Sequence, residues 1–392
     1  MSAGRPLHVA IVGAYPLQPE ILSGGIRAVT YQLVEGLRRL PDVRVTVIHC
    51  HPDVAQDRCE RAENVTVHYL AQPRRRVVPN MITGVGRIAR LLRELQPDVV
   101  NAHGHSFAVA AMDAGYVGPR SPIWTIHGVI REEARYNPGL FNRLAYSLAG
   151  HYERRALARV REITAISPYI RDRFAARTAA RWHLVENPAP EEMFALARRP
   201  VPGRLLLAAS VTPRKDLLTA VRGVAIASRD LPSLHLQVAG RTDDADYVGK
   251  VRAACRELGV GDRVEFLGLQ NRDQMRQLYR EAQLVILSSQ EEVSPMSAIE
   301  ALAAGIPVVT TRAGGAGYIV EDGRTGRVVD VGDAEALGGA MVQVLSDPEL
   351  YVALGRAAKI AAAERFHPRR VAERYLEVYR LVWETASQSS PS

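Results

Sequence analysis

Short runs rich in β-branched residues alternate with longer helical periods along almost the whole chain, and the alternation runs through twice. In the first half, segments 7–14, 43–50, 65–71, 97–101, 123–126 and 162–165 read as strands, with helical stretches over 26–40, 82–95 and 142–159. The strand-like runs are apolar nearly throughout, as expected of parallel strands covered on both faces. Parallel strands need long crossovers, so the pattern predicts a doubly wound α/β sheet. Proline pairs then interrupt the chain at Asn187-Pro188-Ala189-Pro190 and at Arg199-Pro200-Val201-Pro202-Gly203, where a continuous helix is disfavoured. Beyond them strand-like runs return at 205–209, 235–239, 264–267, 284–287 and 308–310. We therefore expect one doubly wound domain over 1–198 and a second over 199–366. Val371, Tyr375, Val378, Tyr379 and Val382 recur at helical spacing and predict a terminal helix over 367–386 that crosses back to the first domain. The polar end, 387–392, reads as a disordered tail.

A chain of 392 residues exceeds what one hydrophobic core usually supports, in agreement with two domains. Its formal charge of +8 is mostly arginine and suits an anionic partner such as a nucleoside diphosphate or a phospholipid surface. No nucleic-acid-binding motif accompanies that charge, and the alternative is that arginine only decorates the helices. Three widely spaced cysteines, Cys50, Cys59 and Cys255, form neither a disulfide framework nor a zinc motif. No apolar run approaches the ~18 residues of a membrane span, and polar residues lead directly into the first strand, so a cytoplasmic protein is expected.

The stretch richest in chemistry covers 284–310, LVILSSQEEVSPMSAIEALAAGIPVVT. A strand ends near Ser288, a loop carries Glu292, and Pro295 suits the first position of a helix. The free amides of that helix start, around 294–297, form a positive terminus fitted to a phosphate or sugar oxygen. Glu292 and Glu300 flank it as acceptors for hydroxyls. In the alternative, Glu292 only complements the helix dipole and Glu300 points to solvent. Glu300, however, interrupts an apolar surface of Met296, Ile299, Ala303 and Ala304, so a specific partner is expected.

These residues resemble the retaining glycosyltransferases of family 4, in which a Glu, seven residues and a Glu-Ala pair precede a Gly-x-Pro-Val-Val run. Glu292, Glu300, Ala301, Gly305, Pro307, Val308 and Val309 match that pattern, and Ser294, Pro295 and Met296 match its Ser-Pro-Met variant. The resemblance implies the GT-B fold, two Rossmann-like domains facing a cleft. It implies that Glu300 binds the donor ribose, that Glu292 faces the transferred sugar, and that Ser294, Pro295 and Met296 line the same pocket. It extends through Gly314-Gly315 and the segment 321–326, EDGRTG. Lys215, at the head of a helix, matches a phosphate-binding Lys of the family. Two positions depart from the pattern. Tyr318 replaces a Glu and is given no role, and Ser210 replaces a phosphate-binding Arg, leaving Arg214 as the candidate to supply that cation from a different direction.

In the first half, Gly24-Gly25 resembles the family's donor-facing glycine loop, whose amides approach a phosphate closely; a plain turn is the alternative. His127, in IWTIHG, ends a strand where the family places a functional His near the transferred sugar. His127, Glu292 and Lys215 are thus the residues expected at the chemistry, the alternative for His127 being a buried structural role. His103 and His105, in NAHGHS, are candidate acceptor contacts, and without a third ligand they are not read as a metal site.

Rival motifs explain less. Gly104-His105-Ser106-Phe107-Ala108 imitates a hydrolase nucleophile elbow but ends in Ala, and a serine hydrolase leaves the second domain without a purpose. Asp244-Ala245-Asp246 imitates a metal motif, yet acidic residues at a helix start read better as caps. A catalytically silent GT-B module that binds nucleotide or glycan is the alternative motivated by Ser210. The main expectation is sugar transfer from a nucleotide-diphosphate sugar, as co-substrate, to a hydroxyl of a glycan, lipid-linked or small-molecule acceptor. No metal, other cofactor or nucleic acid is expected. Arg74-Arg75-Arg76, followed by Ile82, Val85, Ile88, Ala89 and Leu92 at helical spacing, raises peripheral contact with an anionic membrane at its inner face; a basic loop before an ordinary packed helix is the alternative.

Overall fold

In a computed structural model the chain is described over residues 5–18, 25–72, 84–137 and 139–389. It divides into two compact units, residues 1–187 with 368–392 and residues 188–367. The division falls at the first proline break, not at the expected 198/199. The reason lies in where the intervening segment bonds: Ala189 N donates to Phe366 O at 2.8 Å, and Arg198 donates to Gly305 O at 2.8 Å and to Ala282 O at 2.6 Å. Residues 188–198 are therefore built into the second unit.

The first unit holds β1 (Leu7–Val12), β2 (Val43–His51), β3 (Arg58–Ala62), β4 (Val65–Ala71), β5 (Val99–Ala102), β6 (Ile123–Ile126), β7 (Glu162–Ala165) and β8 (Arg181–Leu184). Among the described residues they form one sheet in the order β3-β4-β2-β1-β5-β6-β7-β8, in which β3 pairs antiparallel with β4 and the other pairings are parallel. The second unit holds β9 (Arg204–Ala208), β10 (His235–Ala239), β11 (Val264–Gly268), β12 (Leu284–Leu287), β13 (Val308–Thr311) and β14 (Gly326–Val329), all parallel, in the order β11-β10-β9-β12-β13-β14. Both faces of this sheet are covered. Leu205 and Leu207 of β9 join one buried cluster and Leu206 joins the other, as the twofold repeat of a strand requires.

In each sheet the chain winds outward on one side of its first strand and then returns to the other side. β1 and β5 flank the reversal in the first unit, and β9 and β12 flank it in the second. Ligands of doubly wound sheets bind beyond the strand ends at such a reversal, because the connecting loops part there.

The terminal helix Pro368–Gln388 belongs to the first unit, where Val371, Tyr375, Tyr379 and Val382 are buried with Leu33, Leu37 and residues of β1 and β2. Each such side chain contributes ~1.5–3 kcal/mol of burial. Packing is close: a Cβ on Gly36 would stand 2.6 Å from Pro368 O. Asn101 Nδ2, at the reversal, donates to Tyr379 Oη at 2.8 Å. The helix continues two residues into the expected disordered tail, and Ser389 Oγ donates to Thr385 O at 2.8 Å. Residues 390–392 of that tail lie outside the described residues, as do Arg74-Arg75-Arg76 and Ile82 of the expected membrane contact. Among the described residues no helix is long and apolar enough to cross a membrane.

Candidate active site

The loops beyond β9 and β12 are laced together. Gln290 N donates to Arg214 O at 2.8 Å, and Ser288 Oγ donates to Lys215 O at 3.0 Å. Close approach to β10 needs a glycine, since a Cβ on Gly240 would stand 2.1 Å from Ala209 O and 2.7 Å from Ser210 N. Pro213–Lys215 makes one 3-10 turn, and Asp216, at a φ of 45° that few non-glycine residues adopt, caps the helix Leu217–Ala227. This places Lys215 at the head of a helix, as expected.

Lys215 Nζ pairs with Glu292 Oε1, and Ser289 Oγ donates to the same oxygen at 2.7 Å. Arg214 Nη1 lies 3.4 Å from Glu291 Oε2 and 3.8 Å from Glu292 Oε2. Glu292 is only 4% exposed. Burial pushes its carboxyl up, but Lys215 and Arg214, with the hydrogen bonds from Lys215 and Ser289, bring it below the usual carboxylate range. The result is an ionised carboxylate held by two cations. The loop after β13 joins through Gly315 N, which donates to Glu292 O at 2.7 Å. Ser210, in the loop after β9, is half-buried and adds no charge.

Pro295 stands at the N-cap of the helix Met296–Ala303, one position ahead of the expected first helical residue. Ser294 Oγ is buried and unpartnered among the described residues, and Met296 opens the helix. Glu300 lies on this helix and accepts a hydrogen bond from Tyr279 Oη at 2.7 Å. The specific partner that its apolar surroundings demanded is therefore a fully buried tyrosine. Burial raises the Glu300 carboxyl to about 7; the Tyr279 hydrogen bond opposes the rise and Glu192 adds to it. Glu292 and Glu300 thus sit in opposite electrostatic settings eight residues apart, one ionised and one poised near neutrality.

In the first unit, His127 follows β6 and shares a 2.9 Å hydrogen bond between its Nε2 and Nδ1 of His103, which follows β5. His103 is 2% exposed and lies between the rings of His127 and Tyr375, at centroid distances of 5.0 and 6.5 Å. His103 is thus the buried ring partner of His127. A Cβ on Gly13, at the end of β1, would stand 2.9 Å from His103 Cβ, so a glycine is required there. Burial holds His127 at about 4 and His103 well below the usual histidine range. His105 opens the helix His105–Asp113, with its Nε2 buried and unpartnered among the described residues and its pKa lowered to about 4 by burial. Ser106 is 3% exposed, which denies it the outward position of a nucleophile elbow. Gly25 opens the exposed start of the helix Gly25–Arg38, and Gly24 lies outside the described residues. In the second unit, Asp244 caps its helix through Tyr247 N at 3.0 Å.

Sequence reasoning missed Tyr279, Ser289 and Glu291. Ser289 was within reach, three residues before Glu292 in the same loop. Tyr279 gave no signal, being one apolar-face position of an ordinary amphipathic helix, Arg272–Glu281. Among the described residues no group of three or more His, Cys, Asp or Glu side chains is placed to hold a metal ion.

Residues 189–361 match the family model described as Glycosyl transferases group 1, and residues 23–192 match Glycosyltransferase Family 4. The N-acetyl-alpha-D-glucosaminyl L-malate synthase of Bacillus anthracis is 32% identical over 124 residues, 32% of this chain and 32% of that protein. The matched stretches span less than half the length of the first curated relatives. Among solved structures, sucrose-phosphate synthase from Thermosynechococcus elongatus has a TM-score of 0.79 at 18% identity, covering 96% of this chain and 99% of that one. Anabaena HepE in complex with UDP and glucose has a TM-score of 0.70 at 17% identity, covering 95% and 99%. At these identities the likeness is one of fold, and the fold is GT-B. With its two halves matched in turn from residue 23 to residue 361, the chain belongs to the GT-B glycosyltransferases of the family 4 type.

Proposed function

We propose that this chain transfers a sugar from a nucleotide-diphosphate donor to an acceptor hydroxyl with retention of anomeric configuration, without a resident metal or cofactor. The observation that carries this reading is the Lys215–Glu292 pair at the reversal of the second sheet, with Arg214 beside it. The likeness to a neighbour solved with UDP supports UDP as the donor nucleotide.

Lys215 exchanges part of its pairing with Glu292 for the donor diphosphate and stabilises the charge that grows as the leaving group departs. Arg214 supplies the second cation in place of Ser210. Glu300, once ionised, accepts hydrogen bonds from the ribose hydroxyls, and Glu292 faces the sugar. The bond between the anomeric carbon and the diphosphate oxygen breaks, and the acceptor oxygen bonds to that carbon on the same face. The acceptor proton passes to the departing phosphate, so no carboxylate is consumed as a nucleophile. His127, kept neutral by burial, suits hydrogen bonding to a sugar hydroxyl. Unpaired Cys50, Cys59 and Cys255 support a reducing, cytoplasmic setting.

Thermal shift and slow nucleoside diphosphate release with UDP-, GDP-, ADP- and dTDP-sugars test the reading, with Glu300→Ala as control. One nucleotide is expected to stabilise the protein and to lose its effect in the variant. A second reading, a nucleotide-binding module without transfer, is favoured by Ser210; stabilisation without any release would select it. Product anomeric configuration, read by proton NMR coupling, decides retention.

A further inference from the structure

Three residues past His127, in the first unit, the chain enters the helix Ile130–Tyr136, which with Leu140–Leu157 and Pro168–Phe174 walls a cavity of about 460 Å3. That volume is in the range of small-molecule sites. Four arginines line it: Arg131, Arg154, Arg173 and Arg177. Two of them are fixed in place. Arg173 lies 3.4 Å from Glu132, and Arg177 Nη2 donates to Glu153 Oε1 at 2.8 Å. These glutamates are 5% and 6% exposed, and each anchors one end of a half-exposed arginine.

Arg131 and Arg154 differ. Both side chains are exposed, and among the described residues neither has a carboxylate partner. Arg154 Nη1 would lie 3.6 Å from a Cβ on Gly150, so its guanidinium folds back along its own helix over a glycine that also lines the cavity. Ser147 and Tyr146 add hydroxyls to the lining. Four cations against two carboxylates leave two positive charges uncompensated around a sugar-sized space. That balance suits one anionic group and disfavours a cation. The planar fork of arginine grips paired oxygens of phosphate or carboxylate.

We propose that this cavity binds a small polyol through its phosphate or carboxylate group, held between Arg131 and Arg154. That the bound molecule is the sugar acceptor rests on the transferase reading above; the anion site itself does not.

Isothermal titration of the full chain with glucose 6-phosphate and with glucuronate tests the site, using wild type and Arg131→Gln/Arg154→Gln, each with and without saturating UDP. The tighter of the two probes identifies the anionic group. Its affinity is expected to fall ~10–100-fold in the double variant, the scale of lost charge-assisted hydrogen bonds, and to survive UDP. Both side chains being exposed, the variant is expected to keep its unfolding temperature and its affinity for UDP. Equal affinity in both proteins, no binding of either probe, or displacement of the probe by UDP overturns the site. If UDP binds neither protein, UDP falls as the donor nucleotide while the anion titrations still decide the cavity.

Discussion

His103 Nδ1 and His127 Nε2 lie 2.9 Å apart, in a hydrogen bond between two rings that burial keeps uncharged at neutral pH. One proton serves the contact, so the tautomer of the buried ring dictates which nitrogen of His127 is left as donor or acceptor. His103→Phe is expected to lower kcat ~10–100-fold, the scale of a displaced catalytic group. UDP affinity should stay unchanged, and His103→Gln should recover part of the loss. Gly13→Ala, which pushes on His103 Cβ, should act in the same direction. Steady-state kinetics beside UDP titration separate this from general unfolding.

Lys215→Met leaves Glu292 buried with Arg214 as its remaining cation and Ser289 as a neutral donor. Removing one partner of a buried pair costs ~3–5 kcal/mol, and Arg214 at 3.8 Å should hold the loss to the lower end. Lys215→Met/Glu292→Gln should regain most of that stability, because no buried charge is left alone, yet stay inactive. Denaturant melts of the three proteins, read against nucleoside diphosphate release, check both halves of the statement.

Glu300 sets a pH dependence of definite sign. Burial raises its carboxyl to about 7 in the folded protein, against ~4.3 in an unfolded chain. The folded protein therefore holds a proton that the unfolded chain has released. The stabilisation this gives is fully present below the unfolded value and is lost as pH rises through about 7. Glu300→Gln should flatten that part of the stability profile. Donor affinity should run the other way, strengthening as pH rises and the carboxylate forms. Tyr279→Phe removes a hydrogen bond that lowers the Glu300 pKa, so the midpoint of UDP binding should move to higher pH.

Tyr379→Phe deletes the acceptor of Asn101 Nδ2 inside the first unit. A buried donor left without a partner costs ~1–3 kcal/mol. Thr125 Oγ1 still donates to Asn101 Oδ1 at 2.8 Å and keeps that amide from turning, so the loss should not be relieved by a flip. Chemical denaturation at constant slope is the measure.

The strands that read clearly from sequence were those that bury at least one apolar face. Segments 65–71, 123–126, 162–165, 235–239 and 284–287 coincide with strands at both ends. Three strands escaped. All five residues of β3 are exposed, β8 has no buried residue, and β14 closes an edge with a glycine at its start, so none carries an apolar run. At the site, Glu292, Glu300 and Lys215 were legible because helix starts and strand ends leave local marks. The partners that tune them were not. Tyr279 reaches Glu300 from another helix, and His103 reaches His127 from another strand, and one-dimensional periodicity carries no record of such encounters. The unit boundary was misplaced for the same reason, since the hydrogen bonds that tie 188–198 to the second unit are long-range.

The terminal helix gives the molecule an inverted assembly order. The chain begins the first unit, makes the whole of the second, and only then supplies the helix that fills the first unit's core. During synthesis the second unit can complete its fold while the first still exposes the apolar surface around Leu33 and Leu37. The half that is begun earliest is finished last, and its core stays open on the side of Leu33 and Leu37 until residues 368–388 have left the ribosome.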